Sequence, residues 1–244
     1  MQRHIMNGEL IIPGDHAAAL RYAAEHFATT CQNAIQDHGF FAVALSGGST
    51  PRAIYELLSQ PPYMEEIEWD KIHLFWSDER SVPPTDPESN FGMAMKAGFE
   101  KMLLTPHHIH RMVAEDQIEL NAKKYEEKLR SVLKGRTLDL VMLGMGDDGH
   151  TASLFPDTEA LTIKGCYVAA NYIPQKKTWR MTLTFDAIND AVNTVFYVLG
   201  APKADMLAHV FSSNPHLPCQ LVGTEDHPAL WISDEAAASK LTSL

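Results

Sequence analysis

The chain has 244 residues, 45% of them hydrophobic and 21% charged. That is the composition of a globular protein and excludes a mostly disordered chain; at this length about 70% of the unfolded surface can be buried without a disulfide or metal staple. With 31 acidic against 20 basic residues the formal charge is −11, which argues against sequence-independent nucleic-acid binding, because that rests on neutralising phosphates with Lys and Arg. A few cations gathered in one cleft can still hold a small anion. Cys31, Cys166 and Cys219 are odd in number and lack a C-x-x-C spacing, so neither a disulfide framework nor a cysteine zinc site is expected, and a reducing, cytoplasmic setting fits best. Met1 to Pro13 has no sustained apolar stretch, and no run of about 18 apolar residues occurs anywhere, so no signal peptide or membrane span is expected.

In chain order, the spacing of Ala18, Leu20, Tyr22, Ala23, Phe27 and Ile35 predicts a helix over 15–38, with Asp15 as N-cap and Gly39 as the stop. Phe40–Leu45 is an apolar run without polar alternation, the pattern of a strand covered on both faces. After the turn Ser46-Gly47-Gly48-Ser49, Thr50-Pro51 reads as N-cap and first-turn proline of a helix through Leu58. Ile72–Trp76 is a second buried strand, followed by a polar loop from Ser77 to about Glu88 and a helix over 89–104. Residues 119–134 form an amphipathic helix ended by Gly135, and Leu138–Leu143 is a third buried strand. Tyr167–Ala170, Arg180–Phe185, Thr194–Leu199 and Leu230–Ile232 are further strands, with a helix from Pro202 to Phe211 between the last two. Strands alternating with helices predict a single α/β domain over residues 1–244, with a mostly parallel, Rossmann-like sheet flanked by helices on both faces. In such a sheet ligands bind beyond the carboxyl ends of the strands.

The segments that follow the strands are therefore the candidates. Gly47, Gly48, Ser49 and Thr50 form either a tight turn with a capping threonine or a phosphate cradle, in which glycines admit a ligand to the backbone and free helix-start amides favour an anion. Asp78, Glu79 and Arg80, behind an apolar strand, are either a surface ion cluster or part of a site. Gly144-Met145-Gly146-Asp147-Asp148-Gly149-His150 formally contains G-x-G-x-x-G. A dinucleotide site is rejected, because two aspartates would face the pyrophosphate and Pro156 comes too soon for the required helix. The better reading is a glycine-shaped loop presenting His150 with a carboxylate beside it, suited to proton transfer near neutral pH. Arg180 begins a strand, and Lys203 stands in the first turn of a helix, where the macrodipole disfavours a cation unless an anion is bound. His107, His108 and His110 have no acidic or cysteine partner at metal-ligand spacing and are read as loop or strand residues, so no metal site is assigned.

Together these stretches resemble the 6-phosphogluconolactonases. The resemblance runs through Ser46–Pro51, Trp76–Arg80 with Val82-Pro83 and Ser89-Asn90, Leu143–Pro156, Arg180–Thr184 and Gly200–Ala204. Relatives in the wider family, the glucosamine-6-phosphate deaminase/isomerases, share the glycine loop and the D-G-H motif but carry a catalytic Glu where this chain has Phe155, which cannot move a proton; the family's usual Gly after Leu-Phe-Pro is Asp157 here. The resemblance implies hydrolysis of 6-phospho-D-glucono-1,5-lactone in the oxidative pentose phosphate pathway. It further implies His150 as general base, Asp78 and Asp148 orienting the histidine or the water, and Arg80 or backbone amides stabilising the oxyanion. Arg180, Lys203 and the Gly47–Thr50 loop would hold the 6-phosphate. No metal or organic cofactor is implied, and the partner is a phosphorylated sugar lactone, with no nucleic acid or membrane; the chain is read as a cytoplasmic monomer. The alternatives are a deaminase/isomerase of the same family and a non-catalytic sugar-phosphate sensor on the same fold. The sensor ranks last, because the catalytic-type residues are intact and no basic helix-turn-helix segment is evident.

Overall fold

A computed structural model describes residues 2–5 (backbone), 8–212 and 217–241; Met1, Met6 and Asn7 of the N-terminal stretch lie outside the described residues. In chain order the elements are β1 (Gln2–Ile5), β2 (Gly8–Ile11), α1 (His16–His38), β3 (Phe41–Leu45), α2 (Ser49–Leu58), α3 (Tyr63–Glu66), β4 (Ile72–Trp76), β5 (Asp78–Arg80), α4 (Asn90–Lys96), α5 (Ile118–Leu133), β6 (Leu140–Leu143), β7 (Val168–Ile173), β8 (Thr178–Leu183), α6 (Phe185–Asn189), β9 (Thr194–Val198), α7 (Ala204–Val210) and β10 (Ala229–Ser233). The main sheet has the order β1-β2-β10-β9-β6-β3-β4. Its strands pair in parallel except for β1, which runs antiparallel to β2.

Every residue of β3, β6 and β9 is buried. Helices cover both faces, which is why these strands read as continuous apolar runs rather than alternating ones. Helix α1 starts where Asp15 accepts the Ala18 amide at 2.8 Å and ends where Gly39 takes φ 92, and it buries Ala23, Phe27, Cys31 and Ile35 along one face. The connection after β3 leads through α2 to β4 on one side, whereas the chain after β6 continues to β9 on the other. Neighbouring strands that hand the chain in opposite directions open a crevice between their carboxyl ends.

Several expectations are corrected. The strands carrying Tyr167–Ala170 and Arg180 do not join the parallel sheet; β7, β8 and β5 form a separate three-stranded antiparallel sheet. The switch lies at Ser77, whose amide donates to Leu45 O (2.8 Å) in the main sheet while its carbonyl accepts from Leu183 N (2.8 Å) in the small one. The loop expected from Ser77 to Glu88 thus contains a strand. The helix expected over 89–104 stops at Lys96, because Gly98 adopts φ +138 and packs where a Cβ would stand 2.3 Å from the Ser59 Cβ. The expected helix from Pro202 begins as a 3-10 turn, Ala201–Lys203, before α7. Strands β1 and β2 were not anticipated. Among the described residues no helix is long and apolar enough to cross a membrane.

Two of the histidines set aside as metal ligands, His108 and His110, pack with His73 of β4. His73 Nδ1 and His110 Nε2 lie 3.0 Å apart, the His108 ring is 3.9 Å from that of His73, and His110 stacks on Phe75. Among the described residues no group of three could hold a metal ion. Burial, His108 and Lys134 push His73 down to about 4, and burial, His73, Lys128 and His108 push His110 down to about 4. The unfolded chain therefore takes up protons between its ordinary histidine value of 6.5 and about 4 that the folded chain refuses. Stability is expected to fall as pH drops through that window, by roughly 2 kcal/mol after discounting for coupling between the rings. Urea unfolding at a series of pH values checks this, and His110→Phe should flatten the dependence.

Candidate active site

The glycine loop lies beyond the carboxyl end of β3. Tyr55 of α2, fully buried, anchors it by donating to Ser46 O (2.9 Å) and accepting from Ser46 N (3.0 Å). The helix starts earlier than the sequence predicts: Gly48, at φ 105, is the N-cap in place of Thr50, and no side chain caps the first turn. The leading amides of α2 are thus left for an anion. A Cβ on Gly47 would lie 1.9 Å from Asn90 Oδ1, so this glycine is fixed by close approach of the neighbouring loop. Beside it runs a groove of about 570 Å³ whose walls include Ser49, Arg52, Arg80, Glu88 and Asn90 but neither His150 nor Lys203.

Asn90 connects that loop to the small sheet. Its Nδ2 donates to the Asp78 carbonyl (2.9 Å) and to Asp78 Oδ1 (3.0 Å). The other carboxylate oxygen of Asp78 accepts from Ser153 Oγ at 2.6 Å and lies 3.8 Å from Arg180 Nη1. Next to it, the buried Glu79 accepts from the amides of Arg80, Asn90 and Phe91 and from Ser89 Oγ. Burial pushes its carboxyl above the usual range, against the pull of the three amides.

Strands β5 and β8 set Arg80 directly opposite Arg180. Like charges opposed across a ladder are unfavourable, and Nε of each arginine is buried without a hydrogen-bond partner. Arg80 Nη1 donates to Glu88 O at 2.5 Å. Burial holds the Arg180 guanidinium below its ordinary value, Asp78 opposing and Arg80 reinforcing the shift. Two facing cations with orphaned donors form a place for an anion.

The third loop follows β6. Thr151 Oγ1 closes it by donating to Gly144 O (2.9 Å), and Gly146 N donates to His150 O (2.8 Å). His150 Nδ1 is hydrogen-bonded to Asp148 Oδ1, and Asp148 also accepts the His150 amide at 3.1 Å. Burial pushes Asp148 up, but the bonds and charge from His150 outweigh it and hold the carboxyl below its ordinary value. With Nδ1 engaged as the donor, Nε2 is left as the basic atom. The imidazole stacks on Phe155, centroids 3.9 Å apart and planes 16° apart. A Cβ on Gly146 would lie 2.0 Å from His150 Nδ1, so the glycine leaves the room the ring needs.

The structure brings together some of the expected residues, Asp78 with Arg180 and His150 with Asp148, while the groove beside the glycine loop reaches Arg80 but neither His150 nor Lys203. Asp148, rather than Asp78, bonds His150; Asp78 instead bonds Asn90 and Ser153 and lies beside Arg180. Lys203 is ion-paired with Asp147 of the His150 loop at 2.6 Å. Asn90 and Ser153 were given no role of their own from the sequence, and Glu79 and Asp147 were named only within their acidic clusters; all four stood inside the matching motif stretches, but nothing in their spacing marks a linking or capping role.

A family model described as glucosamine-6-phosphate isomerases/6-phosphogluconolactonase matches residues 14–231. The 6-phosphogluconolactonase of Nostoc sp. is 35% identical over 237 residues, covering 93% of this chain and 96% of that protein. The crystal structure of 6-phosphogluconolactonase from Thermotoga maritima superposes with a TM-score of 0.80 at 29% identity, covering 92% of this chain and 98% of that one. The enzyme from Trypanosoma cruzi superposes with a TM-score of 0.86 at 25% identity, covering 99% and 100%. The chain belongs to the glucosamine-6-phosphate isomerase/6-phosphogluconolactonase family.

Asp78→Ala should strand the buried Arg180 charge and unlink the loops. A stability loss of about 3 kcal/mol in urea unfolding is expected, as for a broken buried pair, whereas Arg52→Ala, on the exposed face of α2, should change stability by less than about 0.5 kcal/mol.

Proposed function

We propose that the chain hydrolyses 6-phosphoglucono-δ-lactone to 6-phosphogluconate with His150 as general base. The observation that carries this reading is the His150–Asp148 pair, which leaves Nε2 as the basic atom, with the imidazole stacked on a ring whose centroid lies 5.6 Å from Arg180 Cζ. Water attacks C1 and gives its proton to Nε2 as the new C–O bond forms. The ring C1–O bond then breaks, and His150 returns the proton to the departing ring oxygen. Arg80 faces the oxyanion that develops between these steps. Arg180, Lys203, Gly47, Gly48, Ser49 and Thr50 hold the 6-phosphate, whose binding energy fixes the lactone over the imidazole. Asp78 holds Arg180 in place and links the loops. A lactone is already an activated ester, so this route uses no metal or organic cofactor. The same reading takes residues 1–244 as one domain working as a cytoplasmic monomer, with neither nucleic acid nor membrane as a partner.

The deaminase reading is disfavoured by Phe155, which is 1% exposed and stacked on His150 at the position where that branch needs an acid. Glucosamine 6-phosphate is expected to release no ammonia.

His150→Ala should lower kcat by about 10²–10⁴-fold with a much smaller change in KM, measured with freshly generated lactone against the enzyme-free opening rate. Wild-type turnover in that variant contradicts the mechanism. Arg180→Ala should raise KM by about tenfold or more, read from the same progress curves.

A further inference from the structure

We propose that Phe155 is a positioning residue for the reaction, its ring face clamping the His150 imidazole in the plane from which Nε2 meets the attacking water. The inference rests on His150 as the base.

A single hydrogen bond to Asp148 leaves the imidazole free to swing about that bond, and the Asp148 side chain is itself half exposed. The Phe155 ring removes that freedom. It lies nearly parallel to the imidazole, 3.9 Å away, and is itself 1% exposed. Its backbone is pinned in turn, because Phe155 O accepts from Thr158 Oγ1 (2.8 Å), and Asn171 Nδ2 of β7 donates to the same hydroxyl (3.0 Å). The imidazole is thus bounded by Asp148 at one nitrogen, Gly146 along one edge and the phenyl face against its plane.

The ring does more than fill space. An aromatic face is electronegative and attracts a cation lying over it. Arg180 Cζ lies 5.6 Å and Lys176 Nζ 5.8 Å from its centroid. When His150 takes the proton from water, the imidazolium forms on this face, and both protonation states of the base keep one ring orientation. An aliphatic side chain of similar bulk supplies neither the parallel surface nor the charge attraction.

The test compares Phe155→Leu, Phe155→Tyr, His150→Ala and the double variant His150→Ala/Phe155→Leu. Phe155→Leu is expected to lower kcat by about tenfold or more with KM within about twofold, since misplacing a reacting group costs turnover rather than binding. Phe155→Tyr should restore kcat to within about threefold of wild type, keeping the stacked face. In the His150→Ala background Phe155→Leu should cost nothing further, because its effect passes through the missing imidazole. If Phe155→Leu does not fold by circular dichroism, Phe155→Met takes its place. A loss that persists in full on the His150→Ala background, a rise in KM at unchanged kcat, or wild-type kcat in the leucine variant each overturns the proposal. Wild-type turnover in His150→Ala fells the base assignment and this inference with it; collapse there beside a fully active leucine variant fells the inference alone.

Discussion

One buried carboxylate ties the site together. Asp78 is 4% exposed, and its oxygens reach Ser153 of the histidine loop, Asn90 of the segment packed on the glycine loop, and Arg180 of the small sheet. These groups belong to separate stretches of the chain, and Ser153 is bonded further to the small sheet through Thr182 and Asn171. A carboxylate taken out of water is costly unless paired and hydrogen-bonded. That cost makes the arrangement specific, because any rearrangement that separates the loops leaves a charge behind.

The rest of the site uses that rigidity. Opposed arginines in β5 and β8 are unfavourable to each other, and a net charge of −11 surrounds them. The local field is set by the two arginines that β5 and β8 hold opposite each other, and the distant acidic surface is largely screened. On the proposed reading a phosphorylated substrate would relieve the repulsion and draw on donors already oriented, leaving little reorganisation for the chemical step. Lys203 is tied to Asp147 of the loop that carries His150.

Much of this was legible in the amino-acid order. β4 has the predicted bounds, and β3 is within one residue of them, because strands covered on both faces leave continuous apolar runs ended by turns. The ends of α1 were marked by Asp15 and Gly39. The second sheet was not legible: Tyr167–Ala170 and Arg180–Phe185 read as strands, but the choice of partner is made by backbone bonds of Ser77, which no side-chain pattern records. In the site, His150 and Asp148 are two positions apart and could be paired on paper. The Ser153–Asp78 bond spans 75 positions, and Asn90–Asp78 spans 12; such links exist only once the sheets are assembled. Phe155 was read for what it cannot do, and its stacking on His150 appeared only in three dimensions.

The most direct test of the account is the structure of the protein in complex with 6-phosphogluconate. The account predicts the product phosphate against Arg180, Lys203 and the first amides of α2, with a carboxylate oxygen within hydrogen-bonding reach of His150 Nε2. A phosphate seated elsewhere, or a carboxylate turned away from the imidazole while the phosphate occupies that cradle, would contradict it.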